Sequence, residues 1–106
     1  MKPTYLITAT LLSIALAMPA FADSGAIQKW ICTVSEHTLQ KEIYQLEDDW
    51  ERAKQRYSQR SQYRQRIEER ITDTLTALTD AKNDLNCNGL IRSRLDKYYR
   101  RLDSVL

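Results

Sequence analysis

Proline, methionine and glycine are almost missing from most of this chain. Its 106 residues include two of each. Both prolines (Pro3, Pro19), both methionines (Met1, Met18) and the single phenylalanine (Phe21) fall in the first 22 positions. From Asp23 to Leu106 no proline remains, and the glycines are Gly25 and Gly89. Sheet proteins need turn residues every ~8–12 positions, whereas helix interiors tolerate glycine and proline poorly. The scarcity excludes a sandwich or barrel and predicts an all-α chain.

Histidine is nearly absent too. His37 stands alone, and helical di-iron sites need paired Glu-x-x-His motifs. No methionine follows Met18 to complete a His/Met haem ligand pair, and no C-x-x-C-H occurs. The expectation is no metal and no cofactor. Nucleophilic catalysis needs a Ser, Cys or Thr activated by an adjacent base. Ser35, Glu36 and His37 are consecutive, and consecutive helical residues point in different directions. Asp48/Asp49 and Glu68/Glu69 are paired carboxylates on surface positions. The chain is not expected to be an enzyme.

What is present begins with a leader. Lys2 precedes an apolar run from Tyr5 to Ala17, and Ala20-Phe21-Ala22 matches an A-x-A cleavage site. This is the pattern of a secretory signal peptide over 1–22. The run is short for a membrane span, which needs about 20 apolar residues. No cysteine directly follows the cleavage site, where a bacterial lipid anchor would need one. The rest, 23–106, is expected to be one small helical domain, periplasmic or secreted, without a transmembrane span. The whole chain carries 16 basic and 14 acidic residues. Without Lys2 the excess falls to one, so overall charge argues for no particular partner and against nucleic acid.

Two cysteines in an exported small chain are an expected staple. Cys32 and Cys87 lie symmetrically about Gln59 and Arg60. Between them runs a heptad-like seam: Leu39, Ile43, Leu46, Trp50, Ala53 and Tyr57. It lapses through polar 58–65, then resumes at Ile67, Ile71, Leu75, Leu78 and Leu85. If 33–86 were one rod, the cysteines would stand roughly 80 Å apart and could not pair within a chain. A turn near 58–63 instead places apolar residues opposite each other on every layer and Cys32 opposite Cys87. The chain is therefore predicted to be an antiparallel helical hairpin with a short C-terminal helix, stapled by Cys32–Cys87. The helices are expected at about 26–57, 62–86 and 90–103. Asp23 and Ser24 are candidate N-caps, and Thr33-x-x-Glu36 reads as a capping box that could start the main helix. Asn88 and Gly89 mark a helix stop. Ile91, Leu95, Tyr98, Leu102 and Val105 form one face of the last helix. Trp30 and Tyr98 are expected to close the core round the disulfide, and Tyr99 to be exposed.

Charge segregation is the remaining functional signal. Glu36 to Glu51 is acidic, with Lys41 the sole cation, and Arg52 to Arg70 is basic. A third cluster, from Arg92 to Arg101, sets five cations against Asp96. The hairpin makes the second block its closed tip. Arg52, Arg56, Arg60, Tyr63, Arg64 and Arg66 are the candidate partner-binding residues, suited to an anionic surface. The competing reading is a solvated helical face whose charges balance between helices or protomers. The expected function is a small exported protein-binding module, such as an inhibitor, adaptor or holdase, whose partner is another envelope protein or a second copy. The alternative is a structural, self-associating coiled coil with intermolecular disulfides.

Overall fold

A computed structural model describes residues 23–87 and 92–106. The proposed signal peptide and the Asn88-Gly89 stop lie outside the described residues. Four helices are present among the described residues: α1 (Ser24–Thr33), α2 (Glu36–Arg56), α3 (Gln62–Asn83) and α4 (Arg92–Asp103). No strand occurs among them.

The hairpin is α2 and α3, and Cys32 is bonded to Cys87 with Cα atoms 4.9 Å apart. A continuous rod over 33–86, linked between chains through these cysteines, is excluded. The seam residues Leu39, Ile43, Leu46, Trp50 and Ala53 of α2 are buried, as are Ile67, Ile71, Leu75 and Leu78 of α3. Thr74, Ala77 and Ala81 are buried as well. This wider buried face follows from position, because α3 packs against all three other helices. Leu95, Tyr98 and Leu102 of α4 and Ile27, Trp30 and Ile31 of α1 complete the core. The buried Thr74 hydroxyl donates to the Arg70 carbonyl at 2.7 Å, so its burial leaves no hydroxyl proton unpaired.

The single helix expected over about 26–57 is in fact two, broken at Val34 and Ser35. Val34 is extended (φ −87°, ψ 162°). Ser35, not Thr33, caps α2, its hydroxyl accepting from the Thr38 amide at 3.2 Å. The Thr33 hydroxyl turns back to donate to the Trp30 carbonyl at 2.9 Å. Serine and threonine compete for the same role here, and the cap forms where the chain has already left the helix. The break lets α1 lie on α3 instead of continuing the α2 axis. Asp23 caps α1, accepting from the Ala26 amide at 3.0 Å.

Three side chains depart from the expected pattern. Helix α3 stops at Asn83, and the Asp84 carboxylate takes the Asn86 amide at 2.9 Å. Leu85, assigned to the seam, is therefore 84% exposed. Tyr57 falls on the extended residue that ends α2 and is exposed rather than buried. Tyr99, expected on the outside, is partly buried against the core.

Ion pairs fasten α4. Arg94 Nε meets Glu36 at 3.3 Å, Arg101 Nε meets Glu47 at 2.6 Å, and Lys82 of α3 reaches Asp96 at 3.2 Å. The Trp50 indole N–H donates to the Val105 carbonyl at 2.9 Å, holding the chain end on α2. Tyr98 is buried, and burial with the nearby Glu36 charge pushes its phenol above the ordinary value.

Candidate binding site

The turn joining α2 to α3 is short, polar and internally braced. The Ser61 amide donates to the Ser58 carbonyl at 3.0 Å. The Ser61 hydroxyl caps α3 through the Arg64 amide, a long contact of 3.5 Å. Gln65 Nε2 donates to the Gln59 carbonyl and Arg64 Nη1 to the Tyr57 carbonyl, each at 3.2 Å. Tyr57 and Tyr63 meet across the turn with ring centroids 4.9 Å apart and planes tilted by 50°. Side chains thus satisfy a backbone that no glycine or proline shapes.

The six candidate residues divide by what they touch. Arg52, on α2, is exposed and paired with Asp48 one turn back at 2.7 Å. Arg64, on α3, is half-buried: it holds the Tyr57 carbonyl and lies over the Trp50 ring, 5.4 Å from its centroid. Lys54 lies over the same ring at 5.7 Å and pairs with Glu51 at 2.9 Å. These cations belong to the architecture of the tip. Arg56 at the end of α2, Arg60 in the turn and Arg66 on α3 are exposed. Among the described residues these three have no ion pair or hydrogen bond from their side chains. Tyr63 is 52% exposed beside them.

Helix polarity separates the free arginines further. A helix C-terminus carries partial negative charge, so Lys54 and Arg56 in the last turn of α2 are locally favourable. The N-terminus of α3 carries partial positive charge, and its first turn holds no acid. Arg64 follows within that turn and Arg66 just beyond it. Cations there gain nothing from the helix and add to its positive field. An anion is the complement that such a tip lacks. The α4 block behaves differently, since Arg94 and Arg101 are consumed by acids of α2.

A feature without a counterpart in the sequence pattern is a cleft of about 580 Å³ between α2 and α4. Lys41, Tyr44, Glu47, Asp48 and Glu51 are among the residues that line it from α2, with Arg101 and Val105 opposite. The Arg101 guanidinium stacks 4.0 Å from the Tyr44 ring centroid while it donates to Glu47. That hydrogen bond raises the Arg101 pKa above its ordinary value. The available signal was Tyr44 itself, an aromatic one residue off the seam at Ile43. A smaller cleft of about 310 Å³ lies between Tyr99 and a threonine-rich face of α3. The hydroxyls of Thr72, Thr76 and Thr79 return to carbonyls of their own helix. Among the described residues no cluster of three or more His, Cys, Asp or Glu could hold a metal ion.

No protein-family model, curated protein or solved structure matches this chain.

Proposed function

We propose that this chain is a small exported binding module that docks an acidic surface of another envelope protein on its basic tip, as an inhibitor, adaptor or holdase. The observation that carries the reading is the split among its arginines. Those of α4 that face α2 are neutralised within the fold, whereas Arg56, Arg60 and Arg66 stay unpaired around a braced turn at the positive end of α3. A braced turn loses little freedom on binding, which favours affinity. Arginine and tyrosine are also the side chains that most often anchor interfaces.

Export is supported by the leader-like first 22 residues and the intrachain disulfide, a bond favoured in oxidising compartments. No helix among the described residues is long and apolar enough to cross a membrane. The activity proposed is binding, without catalysis.

The test is capture from an envelope extract by the immobilised, oxidised protein at about 50 mM and about 500 mM salt, where screening lengths differ several-fold. The expected result is one stoichiometric acidic protein, retained at low salt and released at high salt. The Arg56→Glu, Arg60→Glu, Arg66→Glu variant should retain its helical spectrum and lose that partner. Equal capture by the parent and the reversed variant would remove the tip as the site.

A further inference from the structure

We infer that the resting occupant of the tip is a second copy of this chain, with Arg56 and Arg60 of one protomer seated on Asp48 and Glu51 in the α2–α4 cleft of its partner, and reciprocally. This rests on the tip being a docking surface and adds how that surface is regulated.

Charge complementarity on one helix carries the inference. Arg56 cannot find a local acid: its neighbour one turn back is Arg52, a like charge. Arg60 lies in the turn beyond. Asp48 and Glu51 are held only by Arg52 and Lys54 at i+4 and i+3, in pairs whose acids are more than half exposed. Exposed pairs of this kind contribute little and exchange readily. The cleft beside them is open, and the Tyr44 ring in it already carries the Arg101 guanidinium, which leaves Asp48 and Glu51 as its exposed acids. At the tip, Tyr57 and Tyr63 are exposed beside the arginines.

The spacing suits a closed pair. Asp48 and Arg56 lie two turns apart on one helix, about 12 Å along the axis. An antiparallel two-fold contact sets the acidic stretch of each copy against the basic stretch of the other. Such an isologous contact closes at two copies and does not propagate. The same arginines then serve both states: the dimer covers the tip, and an acidic partner releases it by competition.

The experiment is sedimentation of the oxidised protein over a concentration series at low and high salt, with paired charge swaps. The parent should form a dimer at low salt whose dissociation constant rises about tenfold or more at high salt. Arg56→Glu with Arg60→Glu should be monomeric, as should Asp48→Lys with Glu51→Lys. An equimolar mixture of the two should restore a one-to-one complex, with helical content unchanged in each. A parent that stays monomeric at every concentration, a dimer indifferent to both swaps, or a mixture that stays monomeric overturns the inference. The acidic-cleft swap also separates this inference from the proposed function, because it should lose the dimer and keep capture of the acidic partner. Capture by a parent that never dimerises would leave that function standing alone.

Discussion

The two ends of the hairpin are closed by opposite means. At the base, a covalent bridge joins Cys32 to Cys87, Gln28 donates to Asp84 at 3.0 Å, and Ile27, Trp30 and Ile31 are buried. At the tip, hydrogen bonds and a tyrosine pair close a turn whose flanking residues are nearly all exposed. Apolar burial dominates folding energetics, and exposed polar contacts add little. The base therefore holds the fold, and the tip is held just firmly enough to keep a shape. That division leaves the arginines of the tip at liberty to engage something else.

The largest loss of stability is expected at the base. Replacing Cys32 and Cys87 by serine frees a segment spanning 55 positions, and the expected loss is about 4 kcal/mol on the chain-entropy relation. Denaturant unfolding of the variant against the oxidised parent measures it. A small domain has little stability to spare, so the variant should be partly unfolded at physiological temperature. An intermediate effect belongs to the cap at the tip. Ser61→Ala should cost about 0.5–1 kcal/mol, at the low end for an N-cap because the accepted contact is long.

Alkaline pH sharpens the view of the α4 contact. The Tyr98 phenol holds its proton more tightly folded than unfolded, because it is buried and close to Glu36. Its contribution is intact below the ordinary tyrosine value near 10 and is lost as pH rises through the folded value. Stability between about pH 9 and 11 should fall less steeply in Tyr98→Phe than in the parent. Parallel slopes in the two proteins would contradict that role. The smallest effect on stability is expected where the functional effect is largest. At high salt, where the chain is monomeric, Arg56→Ala with Arg60→Ala should change unfolding free energy by under about 0.5 kcal/mol, since neither side chain has a partner within its own chain to lose, while weakening capture of an acidic protein at low salt. A loss above 1 kcal/mol or so would show that these arginines serve the fold.

Much of the hairpin was legible because two independent patterns agreed: the seam on each side of 58–65 and the symmetric cysteines. The failures share a cause. The break at Val34-Ser35 carries no glycine or proline, and the capping-box pattern falls at Thr33 although serine two positions on is an equally good cap type, so only the packing of α1 on α3 decides between them. Leu85 and Tyr57 fit the apolar period, yet each lies just past a helix end, where periodicity no longer fixes direction. Of the site, the basic block was plain, but its division was not. The Arg52–Asp48 pair follows from i,i+4 spacing. The hold of Arg64 on the Tyr57 carbonyl and Trp50 depends on the turn. The α2–α4 cleft was not readable at all, because it exists only once Glu47 and Arg101, 54 positions apart, have met.

The claim that the tip, not the base, meets the partner is tested most directly by site-specific photocrosslinking. Leu85 is the fair competitor, being the most exposed large apolar side chain among the described residues and lying at the base. A photoreactive phenylalanine analogue at Tyr63 and, separately, at Leu85 would be irradiated in envelope extract at low and high salt. A discrete adduct with a second protein is expected from position 63, suppressed by salt, and none from position 85. An adduct from position 85 alone, indifferent to salt, would contradict it and move the binding surface to the disulfide end.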